Sequence, residues 1–368
     1  MFGSLSHLAL QQYWWVIVSL LGSILMFLMF VQGGQTLIHA VGKTEKERFL
    51  IVTLIGRKWK FTFAALVIFG GAFFAAFPLF GSCFGRAWWM WMLILICFLL
   101  QTVAYEFRSK ANKLLGQKIY DFFLLFNGAI GAVFVGTVVG TFFNGAVFSV
   151  NDMDLFHWKT AYYGLEAAFK PHNLLFGLSF FFLARALALL YFLNYITNKQ
   201  IITRSKIRLL RNTIIFVVCF VTFLVLLLTK DGFNYDPITK VVNMEPCKYL
   251  HNLLSMPVVL IMLLAGIVLV LFGIIQSFVG RRFTRGIWYT GFGAVLAVWS
   301  LFLVAGLNHT CYYPSIYNMQ DSLTIENSSS SRYVLTVISY ISLLAPFIAA
   351  YIAWKWRTMN KKKSQRKS

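Results

Sequence analysis

The chain has 368 residues, of which 59% are apolar and 12% are charged. A soluble globular protein is about half apolar and about a quarter charged, so one core surrounded by water cannot bury this much apolar surface. The chain carries 33 Lys and Arg against 12 Asp and Glu, a formal net charge of +21. This composition predicts a membrane protein. It does not by itself explain the positive net charge.

Apolar runs long enough to cross a bilayer, which takes about 20 residues per helix, occur nine times. They lie near residues 13–40, 61–80, 88–105, 122–144, 173–196, 213–229, 252–277, 287–307 and 333–354. No Lys or Arg precedes the first run, and it is too long for the apolar part of a signal peptide, so we expect a membrane helix there. The chain is therefore expected to be an all-α integral membrane protein with nine transmembrane helices in a single membrane domain, residues 1–368.

The segments between the runs alternate in charge. Those that follow the odd-numbered runs contain 25 Lys and Arg against four acids, and those on the other side contain seven against eight. Because Lys and Arg stay in the cytoplasm during insertion, this pattern predicts an outer amino terminus and a cytoplasmic carboxyl terminus with a basic tail, residues 355–368. The positive charge then reflects membrane topology, with the lipid bilayer as partner, and no nucleic acid partner is predicted.

The three longest outer segments, near residues 145–172, 230–251 and 308–332, are too short for a core of their own. We expect them to be solvated connecting loops. Cys247 and Cys311 fall in two of these segments, on the side of the membrane where disulfides persist, and whether they form one is left open.

Axial ligands for a haem are usually histidines on facing helices. The six histidines are His7, His39, His157, His172, His251 and His309. No two of them share a mid-membrane position from which they would clamp one metal ion. The five cysteines show neither a CxxC spacing nor neighbouring histidines in a metal-ligand pattern. The chain is thus expected to bind no haem and no metal by itself.

Charged residues near the hydrocarbon are few. Glu106 and Asp121 fall at the inner boundary, where a Glu106–Arg108 ion pair is the favoured interpretation, and they form no carboxylate relay across the bilayer. Arg185 is the only charge deep within a span, roughly twelve residues from either end. A central Arg costs about 2.5 to 3.5 kcal/mol, so it should have a partner. Structural pairing is favoured over a redox or ligand role, and the candidates are backbone carbonyls, an acid on another chain, or a quinone or lipid oxygen.

Three motifs together resemble subunit II of the cytochrome bd-type quinol oxidases. Gly-Gly-Ala-Phe-Phe-Ala-Ala-Phe-Pro at residues 70–78 is similar to that family's Gly-Gly-x-x-Phe-Ala-Ala-x-Pro. Glu106-Phe107-Arg108-Ser109-Lys110 follows the third span, where the family has an acidic-aromatic-Arg-Ser-Lys signature. Pro314-Ser315, Ser-Leu-Thr-Ile at residues 322–325 and the four serines of residues 328–331 precede the last span in the family's order.

The resemblance implies a fold of two four-helix bundles plus one peripheral helix, paired with a haem-bearing subunit I. In that family, subunit I holds haem b and haem d, oxidises quinol and reduces oxygen to water. Subunit II stabilises it and in some members seats a structural quinone. Whether a small accessory subunit is also present is left open. No catalytic residue and no metal ligand is therefore expected in this chain.

Four positions depart from the family's pattern. The first helix has Gln32-Gly33-Gly34-Gln35 instead of Asp-Gly-Phe-Asp, Lys60 replaces the Asp of Trp-Asp-Gly, and Gln101 replaces an Arg. Only a titratable group can accept and release protons, so an amide is a poor substitute for a carboxylate at a proton entrance. We expect the proton route through this subunit to be closed.

The sequence therefore predicts the haem-free subunit II of a terminal oxidase in the bacterial cytoplasmic (inner) membrane, a non-catalytic part of a quinol:oxygen oxidoreductase. The alternative is a stand-alone transporter or channel. That function would need substrate-coupled groups at the midplane, and only Arg185 qualifies.

Overall fold

The computed structural model describes residues 2–108, 116–151, 156–279, 284–347, 350–352, 354 and 358. Within these residues, nine helices are long and apolar enough to cross a membrane, which confirms the number predicted from the sequence. They are α1 (His7–Gln35), α2 (Glu45–Ala76), α3 (Trp89–Phe107), α4 (Gln117–Asn144), α5 (Pro171–Tyr195), α6 (Lys199–Leu228), α7 (Pro257–Val279), α8 (Gly286–Gly306) and α9 (Arg332–Ile352).

Successive helices run in opposite directions, so their connections gather at two ends. We call the end that holds residues 36–44, 108, 116, 196–198 and 284–285 the basic end, and the other the loop end. α1 and α5 pack against each other and lie at the centre of the molecule. α1 also contacts α2, α4, α8 and α9, and α5 also contacts α4, α6 and α8. α9 is the least buried of the nine helices.

α2 begins at Glu45, sixteen residues before the start of the predicted second span. Its first turn has a capping box, in which the Thr44 hydroxyl accepts a hydrogen bond from the backbone N–H of Glu47 and the Glu47 carboxylate accepts one from that of Thr44. This arrangement satisfies two backbone donors that would otherwise lack partners. The helix is interrupted at Arg57 and Lys58 and continues from Trp59. Because Arg57 and Lys58 are charged, a search for apolar runs does not include Glu45–Gly56 in the span.

The loop end adds short strands, which were not predicted, to this mostly helical fold. β1 (Phe148–Val150) pairs with β2 (Phe156–Trp158), and β3 (Gly232–Tyr235) pairs with β4 (Val242–Glu245), both antiparallel. Single bridges tie Ala146 to Ser315, Asn234 to Thr310 and Tyr313 to Leu323. We call the described parts of residues 145–170, 229–256 and 307–331 the loop-end cap.

Much of the loop-end cap is buried, which corrects the expectation of solvated loops. Tyr312 and Ser315 are fully buried. The Tyr312 hydroxyl donates to the Ser328 hydroxyl over 2.9 Å, and the Ser315 hydroxyl donates to the carbonyl of Phe148 over 2.5 Å. The Tyr312 ring also lies 4.7 Å, centroid to centroid, from Trp15 of α1. These serines bond to other groups of the cap, and composition alone cannot distinguish that role from solvation.

All five cysteines are free thiols in the structure. Burial raises the pKa of Cys311 to about 12, whereas Cys247 is half-buried. We expect the intact mass of the purified chain to be the same with and without reductant, and alkylation at pH 8 to modify Cys247 before Cys311, because the thiolate is the reacting form. A loss of two mass units on oxidation that reductant reverses, mapped to these two cysteines, would contradict the free-thiol state.

Glycine allows α1 and α5 to approach closely. A Cβ added at Gly33 would lie 2.3 Å from the backbone carbonyl of Ala184. The substitution Gly33→Ala should therefore separate the two central helices, at a cost of about 1 to 3 kcal/mol or more for an overpacked core. Thermal unfolding of the detergent-purified protein would measure this as a large fall in Tm. Gly85→Ala is the matched control, since a Cβ there meets nothing within 4 Å and Ala favours helix. Equal melting of both variants would contradict the close approach.

Candidate functional site

Four side-chain amides meet at the basic end of the molecule. We call Gln32, Gln35, Gln101 and Asn127 the amide cluster. The first two come from α1, and the others from α3 and α4. All four are at most 1% exposed. Three of the four positions that depart from the family's pattern are thus in contact, and Asn127, which sequence reasoning did not identify, joins them.

The amide cluster is held by a shared acceptor. The Gln101 carbonyl oxygen Oε1 accepts hydrogen bonds from the amide nitrogens of Gln32 over 3.0 Å, Gln35 over 2.5 Å and Asn127 over 2.8 Å. The Asn127 amide also donates to Oε1 of Gln35 over 2.7 Å. These bonds link three helices through neutral groups.

The local backbone brings Asn127 into the cluster. Residues Asn127–Gly131 form a π-helical turn within α4, an irregularity that often occurs at functional sites. Gly128 approaches α1 so closely that an added Cβ would lie 2.5 Å from the carbonyl oxygen of Gln32. A residue with a side chain at position 128 would push α4 away from α1.

Three polar atoms of the amide cluster are buried without a hydrogen-bond partner among the described residues: Oε1 of Gln32, Nε2 of Gln101 and Oδ1 of Asn127. An unsatisfied buried polar group costs about 1 to 3 kcal/mol. The cluster is therefore a polar site kept within an apolar surrounding at some cost in stability. Because no amide titrates, it has no group that can take up or release a proton.

A second group of polar residues lies next to the amide cluster, and its members are ionisable. We call His39, Arg108 and Asp121 the charged triad. Nε of Arg108 donates to Oδ1 of Asp121 over 2.5 Å, and Nε2 of His39 lies 3.2 Å from Oδ2. The side chains of Arg108 and Asp121 are 4% and 7% exposed, whereas that of His39 is 50% exposed. The triad thus connects the surface of the basic end with a buried ion pair.

Tyr105 lies between the two groups. Its hydroxyl accepts a hydrogen bond from Gln35 over 3.2 Å, and its ring stacks on Trp59 with centroids 5.9 Å apart. Tyr105 comes one helical turn before Arg108 on α3. Gln101, Tyr105 and Arg108 are spaced four and three residues apart, so they lie on one face of the helix. Gln101 belongs to the amide cluster, Arg108 belongs to the charged triad, and Tyr105 lies between them.

The expected Glu106–Arg108 ion pair is not formed, since Arg108 bonds to Asp121 instead. Glu106 lies 4.0 Å from Nζ of Lys60, and both side chains are more than half exposed. Residues 106 and 108 are two positions apart on a helix, so their side chains point in different directions. Ser109 and Lys110, the remaining positions of the family motif, lie outside the described residues.

Arg185 lies level with Arg208 of the next helix. Three residues join α5 to α6, so positions ten before the end of α5 and ten into α6 are opposite each other. The Arg185 guanidinium lies over the Phe181 ring, 5.3 Å from its centroid. Among the described residues, no backbone carbonyl accepts a hydrogen bond from Arg185 and no acid forms an ion pair with it.

In the part of the chain that the structure describes, no three His, Cys, Asp or Glu side chains come together as a metal site would require. Three histidines have other partners: His7 lies 3.1 Å from the carbonyl of Ser330, His39 contacts Asp121, and His251 lies 2.8 Å from Glu245.

The model of the family described as cytochrome bd terminal oxidase subunit II matches residues 10–359. The chain belongs to this family. It is therefore a subunit of a cytochrome bd-type oxidoreductase complex and a multi-pass protein of the bacterial inner membrane.

Individual relatives are similar to this chain, in sequence or in fold, over nearly its full length. The cytochrome bd-I ubiquinol oxidase subunit 2 of Escherichia coli K12 is 24% identical over 362 residues, 94% of this chain and 93% of that protein. The cytochrome bd ubiquinol oxidase subunit 2 of Bacillus subtilis 168 is 25% identical over 365 residues, 97% of this chain and 98% of that protein. A chain of the bd oxidase structure from Geobacillus thermodenitrificans shares the fold, with a TM-score of 0.68 at 14% identity, covering 96% of this chain and 99% of that one.

Proposed function

We propose that this chain is the haem-free, non-catalytic subunit of a quinol:oxygen oxidoreductase, and that haem b, haem d and the quinol oxidation site lie in subunit I. The observation that carries the proposal is the family match over residues 10–359. Relatives named as ubiquinol oxidase subunits support quinol as the substrate of the complex. The role of this chain is then to cover one side of subunit I and keep water from its redox centres.

The proposed topology places the amino terminus outside and the basic end in the cytoplasm, together with the tail of residues 355–368. The distribution of Lys and Arg supports this orientation. We further propose one membrane domain, residues 1–368, with eight helices in two four-helix bundles and α9 as the peripheral helix. The low burial of α9 and the central packing of α1 and α5 support that arrangement.

The surface proposed to face subunit I includes α2. Gly70 and Gly71 of the family motif have open space where a Cβ would be. Near them Val67 and Ile68 are about half exposed. Small residues on an apolar face allow the backbone of another membrane helix to approach closely. This face therefore suits a helix of subunit I.

We also propose that no proton route passes through this subunit. The amide cluster supports this, because Gln32, Gln35 and Gln101 are buried, hydrogen-bonded and unable to titrate. Lys60 is exposed beside Glu106. A Gln32→Met variant, similar in volume, should keep the wild-type ratio of protons taken up to oxygen consumed. A turnover limited by proton uptake in this variant would contradict a closed route.

The proposed function as a whole is tested by affinity purification through a tag on this chain from mild detergent. We expect a second, haem-bearing membrane chain to co-purify, with haem b and haem d absorption bands and quinol-dependent oxygen consumption. A colourless single chain without oxidase activity would contradict the proposal.

A further inference from the structure

Arg185 and Arg208 form a pair of like charges on facing helices. Both side chains are half-buried, and they lie at the same level of two helices that pack against each other. Nε of Arg185 is buried and has no hydrogen-bond partner among the described residues. Two guanidinium groups close together and partly removed from water repel each other, so an anion between them would be strongly stabilised.

The acids at the basic end are engaged elsewhere. Glu47 receives a hydrogen bond from Arg204 over 2.8 Å, Asp121 belongs to the charged triad, and Glu106 lies near Lys60. Glu45, the fourth acid at this end, is exposed at the first turn of α2. No ion pair between an acid of the described chain and Arg185 or Arg208 is found. Among the residues that the structure describes, the two guanidinium groups therefore have no counter-ion.

The position of the pair on the helices indicates the chemistry of the partner. The first thirteen residues of α6 contain five basic side chains, and the rest of the helix contains none. Arg208 therefore lies at the change from charged to apolar surface. Ile215, two turns further along the same face, is 41% exposed, and Phe181 lies under Arg185 on α5. At the headgroup level of a bilayer, the anionic headgroups of the lipids lie next to their apolar acyl chains. A protein surface that combines basic and apolar side chains fits this level.

We propose that Arg185 and Arg208 bind the phosphate of an anionic phospholipid in the leaflet at the basic end. Guanidinium groups bind phosphate oxygens through paired hydrogen bonds, and Nε of Arg185 offers one unused donor. An acyl chain of the same lipid lies along the apolar surface near Phe181 and Ile215. This site does not depend on the proposed oxidase function.

The test titrates the delipidated, purified complex with dioleoylphosphatidylglycerol and counts bound lipids by native mass spectrometry. Charge at a membrane surface contributes about a fivefold change in affinity per arginine. R185Q and R208Q should therefore each weaken the tightest lipid-binding event about fivefold, and the double variant should weaken it more than either single one. K206Q is the control, because position 206 points away from the pair on α6. R208K, which keeps the charge, should retain more binding than R208Q.

Three results would overturn the proposal. The first is unchanged phosphatidylglycerol affinity in both glutamine variants, or an equal loss in K206Q. The second is displacement of the lipid by an equal concentration of inorganic phosphate, which would identify a site for free phosphate. The third is release of subunit I by the double variant with unchanged lipid binding, which would identify a carboxylate of the partner subunit as the counter-ion.

Discussion

The substitution Gln101→Arg is expected to destabilise the protein severely, and Gln35→Asp is expected to restore it. Nε2 and Oε1 of Gln101 are buried among amides, so a guanidinium there has no counter-ion in the amide cluster. An unpaired buried charge costs about 3 to 5 kcal/mol. Because the amide of Gln35 lies 2.5 Å from that of Gln101, an aspartate at position 35 would lie close enough to pair with the introduced arginine.

Thermal unfolding of the purified complex for both single variants and the double variant measures this coupling. We expect a large fall in Tm for each single variant and a recovery in the double variant, whose interaction energy is the difference that a double-mutant cycle isolates. Gln12→Arg is the control, since Gln12 is an exposed glutamine of the same helix as Gln35. Additive losses in the double variant would show that positions 35 and 101 do not interact.

The second large effect is expected at the charged triad. Asp121→Asn removes the only carboxylate of the described residues that pairs with Arg108, whose side chain is 4% exposed. Breaking a buried pair by removing one partner costs about 3 to 5 kcal/mol, because the remaining charge stays buried. We expect a much lower yield of assembled complex and a large fall in Tm. His39→Gln should have a smaller effect, since half of that side chain is in contact with solvent.

The exposed pair of Lys60 and Glu106 provides the contrast. Its members are 75% and 51% exposed and 4.0 Å apart. Surface ion pairs contribute about 0 to 1 kcal/mol, so Glu106→Gln should melt within a degree or two of the wild type. If Glu106→Gln proved as destabilising as Asp121→Asn, the assignment of the buried pair to Arg108 and Asp121 would be wrong.

The helices could be predicted from the sequence because each apolar run is long enough to identify a span without knowledge of its neighbours. The loop-end cap could not be predicted, because its polar residues bond to one another across large separations. Ser315, for example, bonds to Phe148, 167 positions away. The start of α2 was missed because charged residues at Arg57 and Lys58 interrupt the run, although Thr44 and Glu47 form a recognisable capping signal.

At the candidate site, the resemblance identified Gln32, Gln35 and Gln101 as departures but not as neighbours. Their contact joins positions 66 and 69 residues apart. The only sequence signal for Asn127 is a polar residue followed by glycine within an apolar run. The Arg108–Asp121 pair crosses residues 109–115, so spacing along one helix could not reveal it. Helical spacing did argue against the expected Glu106–Arg108 pair, because residues two apart do not face each other.

We propose above all that the iron of the complex has no ligand from this chain. Replacing each of the six histidines singly by Gln, in the complex with its partner, and recording the reduced absorption spectrum would test it most directly. We expect every variant to keep both the haem b and the haem d bands in wild-type proportion to protein. The loss or shift of one band in a variant that still assembles and melts like the wild type would show that this chain supplies an axial ligand, and would contradict the account.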